Sequence, residues 1–519
     1  MPRPYTAAGR GVGAGHARPQ ALRIHLPDLY DEIPYPSLPR PQSHPSRVAA
    51  LAAIAGMTPP PVDRWRVLEI GCGDACNLLP LAFEYPEGRF TGVDRAALPL
   101  ARGRDMASKL GLANLELYEA DLLDWQPRGE FDYIVAHGFY SWVPSEIRDR
   151  LFEICATALS PGGVAYVSYN VLPGSHLRRY VWDLLKFHTR RAASSRVRIE
   201  QAYELVRLIA ARPADDPARA AIRKEMENLI ERGAEAIFHD DLAEPNDPFY
   251  LMDFIGHAAR HGLQYLGDAE PVRDDVRDLP LPAEDWVEAR QYGDFLACRR
   301  FRESILCRKD IPLCRVLSLD RFQTLAAASR VRPAEPQPDG AQKFEISKAR
   351  SLTTNHPLVK DVLCFLASRW PGSVPVAELP LGGYPPLDAA DMLMRLVEAE
   401  AIELWQQPPR VATAIGERPV ASQLARFQLS LGLAMVTNQR HQSIDLPDET
   451  ARALISLLDG TRDREALVAA MGRVAPRPEG APADPAAIER ALQVSLQEML
   501  RLCLLVAPGP EGAPLPPVG

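Results

Sequence analysis

The chain has 519 residues, a formal net charge of −8, a hydrophobic fraction of 46% and a charged fraction of 24%. That length is too great for one hydrophobic core and implies about three domains, while the composition is that of a folded protein and excludes global disorder. The acidic balance argues against broad nucleic-acid binding, which calls for a strong basic field.

Eight scattered cysteines with no C-x-x-C pair point to reduced thiols in a cytoplasmic protein rather than to a disulfide framework or structural zinc. No apolar run reaches the ~18 residues of a membrane span. The first 20 residues lack the apolar region of a signal peptide and read as a flexible tail. Over residues 30–44 the prolines Pro34, Pro36, Pro39 and Pro41 forbid a regular helix, which becomes allowed from about Ser46.

Short apolar strands then alternate with helical segments. RVLEIG, RFTGVD, LELYEA, FDYIVAHG and GGVAYVSYN predict a parallel sheet covered by helices on both faces. A charged, all-helical segment over about residues 182–255 interrupts it, and GLQYLGDAE and RFRESILCRKD read as two last strands. The expected fold is therefore an α/β, Rossmann-like seven-stranded domain over residues 21–330 with an α-helical insert. The Pro-rich stretch 331–341 reads as a linker. Beyond it, residues 342–519 predict a winged-helix-like α+β region, with helix, turn, helix and a short hairpin up to about residue 414 and a second helical unit after it. Residues 341–519 hold 17 Lys and Arg against 20 Asp and Glu, so protein contact or packing is the expectation there rather than DNA reading.

The first strand runs into Gly71-Cys72-Gly73 and a helix expected near Asp74, the opening of a nucleotide-binding α/β unit. A dinucleotide fingerprint needs a third glycine where Cys76 stands. A ligand with an adenosine but no phosphate, S-adenosyl-L-methionine, tolerates that loss. Asp94, ending the second strand, is placed to accept both ribose hydroxyls. Asp121 is placed to accept from the adenine amino group, with Leu122 against the ring, and Glu69 to hold the methionine amino group. Cys72 and Asn77, in and just past the turn, join this cofactor set, as do Tyr35 and Ser37 if the Pro-rich strap folds over the ligand.

Residues after the fourth and fifth strands should face the transferable methyl. They are His137, Phe139, Tyr140 and Trp142, then Tyr169 and Asn170, read as an aromatic mouth suited to an amine. His137 is a candidate base or a buried residue tying down its own loop; it is also counted with the cofactor set. His239, His257 and His261 are read as surface or packing residues. With no H-E-x-x-H and no paired cysteine ligands, no metal is expected.

The series Glu69-x-Gly71-x-Gly73, Asp94, Asp121 and FDYIVAHG resembles the motifs of class I S-adenosylmethionine-dependent methyltransferases. YDEIPYPS, GCGDACNLLPLA, AHGFYSWVP, SYNVLPG, EPNDPFYLMDFIGHAARHGLQYLGDAE and DFLACRRFRESILCR narrow the likeness to members with a methyltransferase regulatory domain, among them rickettsial lysine methyltransferases of outer-membrane proteins. DACN stands where members often have a glycine-rich GGN. The resemblance implies methylation of lysine on a protein partner. The alternatives are a small-molecule N- or O-methyltransferase with the tail as a dimerisation unit, and a cofactor-binding scaffold without catalysis.

Overall fold

The computed structural model describes residues 38–61, 64–270, 285–474 and 484–507. The expected tail and the part of the Pro-rich strap that carries Tyr35 and Ser37 lie outside the described residues.

The chain enters as a helix, α1 (Pro45–Ile54), followed by β1 (Arg66–Ile70), α2 (Leu78–Glu84), β2 (Arg89–Asp94), α3 (Ala97–Lys109), β3 (Leu115–Glu119), β4 (Phe131–Ala136), α4 (Ser145–Ala158) and β5 (Leu159–Asn170). Four helices follow, α5 (Ser175–Thr189), α6 (Ser195–Ala210), α7 (Pro217–Arg232) and α8 (Ala234–Asp241). Then α9 (Leu251–Arg260), β6 (Leu263–Asp268), α10 (Trp286–Ala297) and β7 (Phe301–Arg308) complete a seven-stranded sheet of order β3-β2-β1-β4-β5-β7-β6. The sheet is mixed and not parallel throughout, because β7 runs antiparallel between β5 and β6. All six residues of β4 are buried, as a central strand covered on both faces requires.

Two apolar layers sandwich the sheet. One packs Tyr140, Phe152, Tyr169 and Phe254 under α4 and α9; the other packs Val48, Trp65, Leu78 and Tyr166 under α1 to α3. The insert begins at Ser175, earlier than expected, and α5 to α8 share a separate core of Val181, Leu185, Val206 and Met226. The later helix α9 belongs to the sheet layer instead.

The stretch 331–341 does more than link. Val331 is buried, and β9 (Arg332–Pro333) pairs with β10 (Gln342–Glu345), itself paired with β11 (Ser351–Thr354). Even earlier, α11 (Leu319–Gln323) and β8 (Ala326–Ala328) already belong to the C-terminal region. β8 lies between β12 (Val374–Pro375) and β13 (Glu403–Trp405), beside the helices α12 (Pro357–Arg369) and α13 (Pro386–Glu398). This unit shares its core with Ala50 and Ile54 of α1, so the boundary is a packed interface. Ser46 fastens it: its hydroxyl donates to Gln407 O at 2.7 Å and accepts from Gln407 N at 2.8 Å.

The last unit holds α14 (Gln423–Ser430), the hairpin β14 (Met435–Thr437) and β15 (Ser443–Asp445), then α15 (Glu449–Leu457), α16 (Arg464–Val474) and α17 (Pro485–Arg501). No helix among the described residues is long and apolar enough to cross a membrane.

Candidate active site

The turn after β1 is a left-handed one. Gly71 and Gly73 have φ of +74° and +55°, and the helix starts at Leu78, later than the sequence suggests, after Ala75 has taken φ of +60°. A Cβ on Gly71 would come within 2.7 Å of the Phe139 ring, so the loop after β4 lies directly across the turn. A Cβ on Gly73 would meet nothing within 4 Å, which leaves open space above that peptide.

Asp94, at the end of β2, closes the turn from the other side. Its Oδ2 accepts from Gly73 N and its Oδ1 from Ala96 N, both at 2.8 Å. Asp121 makes a similar local turn by accepting from Leu123 N at 3.0 Å, and Leu122 beside it is buried in the sheet layer.

Glu69 is almost fully buried, and burial raises its carboxyl pKa to about 8. Its Oε1 accepts from Asn77 Nδ2 at 3.0 Å, whereas Oε2 is buried with no partner among the described residues. An unsatisfied buried oxygen costs about 1–3 kcal/mol. It fits an ammonium group arriving at the turn, and the open space over Gly73 gives that ligand room. Asn77 itself is saturated by protein: Nδ2 also donates to Ser43 Oγ at 3.1 Å, while Oδ1 accepts from Arg40 N and His441 Nε2, each at 2.8 Å. It holds Glu69, so its amide is not free for a ligand. Cys72 turns into the layer under α2 and α3, where burial pushes its thiol pKa well up.

The expected aromatic mouth is largely core. Tyr140 is buried among Phe152, Phe249 and Phe254, with its hydroxyl 2.7 Å from His257 Nδ1. Tyr169 stacks on Phe254 at 4.0 Å and places its hydroxyl 3.1 Å from Ser304 Oγ. Both sequences read as aromatic loop ends, but their strand and turn positions point them into the layer under α4 and α9. Asn170 is buried too, its Nδ2 donating to Asn246 Oδ1 at 2.9 Å, which ties β5 to the end of the insert. Phe139 and Trp142 remain partly exposed.

His137 lies in the opposite layer. Burial drives its pKa down to about 3, so the neutral ring is a poor base, and Nδ1 sits 2.9 Å from the Tyr166 hydroxyl. Tyr166 donates to Glu303 Oε1 at 2.8 Å. With that proton committed, the Tyr166 oxygen accepts from His137 Nδ1–H. Burial raises the Glu303 carboxyl to about 7, and its Oε2 is buried without a partner among the described residues. Arg40 acts electrostatically on Glu69, His137 and Glu303 alike. Glu303, Tyr166, Arg40 and His441 were missed by sequence reasoning. Glu303 had one signal, an acid inside the apolar strand FRESILCR; His441 had none.

Three family models match in succession: a methyltransferase domain over residues 67–163, a predicted methyltransferase regulatory domain over 233–308, and a "PKMT, C-terminal winged helix domain" over 417–504. The chain is 31% identical over 240 residues to the uncharacterized protein RP028 of Rickettsia prowazekii, covering 96% of it and 46% of this chain. It belongs to the class I S-adenosylmethionine-dependent methyltransferases with a regulatory domain. Within this methyltransferase family it is 28% identical over 472 residues to RP789 of the same organism, covering 85% of each chain. The structure of PKMT2 from Rickettsia typhi in complex with AdoHcy superposes with a TM-score of 0.78 at 26% identity, over 91% of this chain and 100% of that one.

The methyl donor of this methyltransferase is S-adenosyl-L-methionine. The regulatory model spans α8 to β7, so it describes the last helix of the insert together with the end of the sheet. The winged-helix model falls on the last unit, inside the region 342–519 expected to be winged-helix-like but beyond the helix-turn-helix and hairpin that end at about residue 414.

Proposed function

We propose that this methyltransferase N-methylates lysine side chains of a protein substrate. The observation that carries the reading is the Glu303 carboxyl beside the residue that follows β4, whose buried Oε2 has no partner among the described residues and which carries negative charge once ionised. Such a group favours a cationic acceptor over a carboxylate or a neutral hydroxyl. The likeness to PKMT2, a name that abbreviates protein lysine methyltransferase, supports the same acceptor.

When bound, the cofactor would supply a methyl group on positively charged sulfur. Glu69 Oε2 would hold its ammonium, and the Asp94 carboxylate would accept from the ribose hydroxyls. Asp121 and Leu122, just past β3, would border the adenine. The incoming lysine titrates near ~10.4 in water and must reach the methyl as a neutral amine. Burial in the pocket favours the neutral form, and Glu303 Oε2 receives the proton. His137 and Tyr166 hold that carboxyl in place, while Phe139 and Trp142 flank the opening.

Incubation with methyl-labelled cofactor and cell lysate, followed by mass spectrometry of the labelled acceptors, tests the reading. Label on lysine Nζ is expected; label confined to hydroxyls, carboxylates or small molecules would overturn the lysine assignment.

A further inference from the structure

Two imidazoles meet on one carboxylate oxygen between α4 and α9. Asp149 Oδ1 lies 2.7 Å from His257 Nε2 and 3.0 Å from His261 Nε2. The histidines are four residues apart, so they leave one face of α9 and its C-cap together, while Asp149 arrives from α4. The three donor atoms all lie within 4.8 Å of one another.

A second feature sets this apart from an ordinary surface cluster. The buried Tyr140 hydroxyl grips His257 by its other nitrogen, the outer partner that a metal-ligating histidine usually has. The rings are 10% and 17% exposed, whereas the Asp149 side chain is 50% exposed, so the cluster opens to water on one side only. It sits in the layer under α4 and α9, across the sheet from His137, Tyr166 and Glu303, and serves no step of methyl transfer.

We propose that Asp149, His257 and His261 bind a divalent transition-metal cation of the zinc class, with water completing the coordination. Metal–ligand bonds of about 2.0–2.1 Å in tetrahedral geometry put neighbouring donors about 3.3 Å apart. The two Asp149–histidine separations need widen by only about half an ångström, which the half-exposed Asp149 permits, and the two histidine ligand atoms already lie within 4.8 Å of each other. Two imidazoles and one carboxylate select zinc-like ions over magnesium or calcium, which take oxygen ligands.

Binding exchanges tautomers. In the metal-free protein each ring donates Nε2–H to Asp149, and Tyr140 donates to His257 Nδ1. A bound cation takes the bare Nε2 atoms, the ring protons move to Nδ1, and at His257 that proton points to the Tyr140 oxygen, whose own hydrogen must turn away. The cation would thus clamp α4 to α9.

The full-length protein, free of any polyhistidine tag and dialysed against chelator, is titrated with Zn²⁺ by calorimetry and with Co²⁺ by visible absorption. One equivalent binding in the micromolar range or tighter is expected, with tetrahedral Co²⁺ bands and no thiolate charge-transfer band. His261→Gln and Asp149→Asn should each weaken uptake at least tenfold and leave cofactor affinity unchanged. In the unmodified protein Zn²⁺ should also shield His257 and His261 from diethyl pyrocarbonate, read by peptide mass spectrometry. No uptake by the intact protein, uptake by both folded variants as tight as by the native protein, a thiolate band, or unshielded histidines would each overturn the proposal, the last regardless of how the variants fold.

Discussion

His441 Nε2 donates to Asn77 Oδ1 at 2.8 Å across 364 residues of sequence, so the tip of the β14–β15 hairpin touches the amide that holds Glu69. His441 is almost fully buried with φ of +60°, and burial lowers its pKa to about 3, which keeps the ring neutral. Asn438 shapes the tip by accepting from Arg440 N and Gln442 N, each at 2.9 Å. The C-terminal unit therefore reaches the proposed cofactor site through Asn77.

Replacing His441 by Ala should weaken cofactor binding about two- to tenfold, the worth of one neutral hydrogen bond of about 0.5–1.5 kcal/mol. Calorimetry with S-adenosylmethionine reads the change. His441→Gln, which retains a donor, should recover part of it; unchanged affinity in the folded Ala variant would remove the hairpin from the cofactor site.

A chain ending near Arg330 should lose both stability and cofactor affinity. It would strip β12 and β13 from β8, expose Ala50 and Ile54 of α1, and delete the Gln407 and His441 contacts. This reverses the independence that a Pro-rich linker suggests. Thermal unfolding and calorimetry on the truncated chain check it, and full cofactor affinity in that chain would contradict the packed interface.

Cofactor binding at neutral pH should release a proton from Glu69. With its pKa near 8 the free site holds the carboxyl neutral at pH 7, and pairing with an ammonium ionises it. Calorimetry in buffers of different ionisation enthalpy measures the released proton, which Glu69→Gln should abolish along with roughly ten- to a hundredfold of affinity. The stability sign follows. An unfolded glutamate loses its proton near ~4.3, so between that value and about 8 the folded, cofactor-free chain binds the extra proton, and this group's contribution falls as pH rises through the window.

Glu303→Gln should lower kcat more than KM. With the native residue, activity should rise with pH through about 7 as the carboxyl ionises and becomes able to accept the proton. The variant should lack that limb and rise only where the amine itself deprotonates. An identical pH profile would exclude Glu303 as the acceptor of the proton.

Asp94→Ala should cost cofactor affinity about ten- to a hundredfold, at about 1.5–3 kcal/mol for hydrogen bonds to a charged group. It also strands Gly73 N and Ala96 N, so Asp94→Asn, which keeps one acceptor for the backbone, separates the turn's stability from the ligand's contribution. Equal cofactor affinity in both folded variants and the native protein would exclude Asp94 from the site.

What the sequence determined by itself is what short-range pattern encodes. Alternating apolar runs marked the strands, and the glycine turn after RVLEI with acids at Glu69, Asp94 and Asp121 marked one edge of the sheet, because strand ends in a doubly wound sheet converge whatever the loops do. Tertiary structure alone decided which way the intervening side chains turned. Tyr140 and Tyr169 read as a mouth yet lie in the core, since a residue's face follows from strand register and the helices packed above it. Glu303 and His441 reach the site from β7 and from a hairpin hundreds of residues downstream. Their roles arise from antiparallel insertion and inter-unit packing, long-range contacts that local pattern marks at most by an acid inside an apolar strand at Glu303 and not at all at His441.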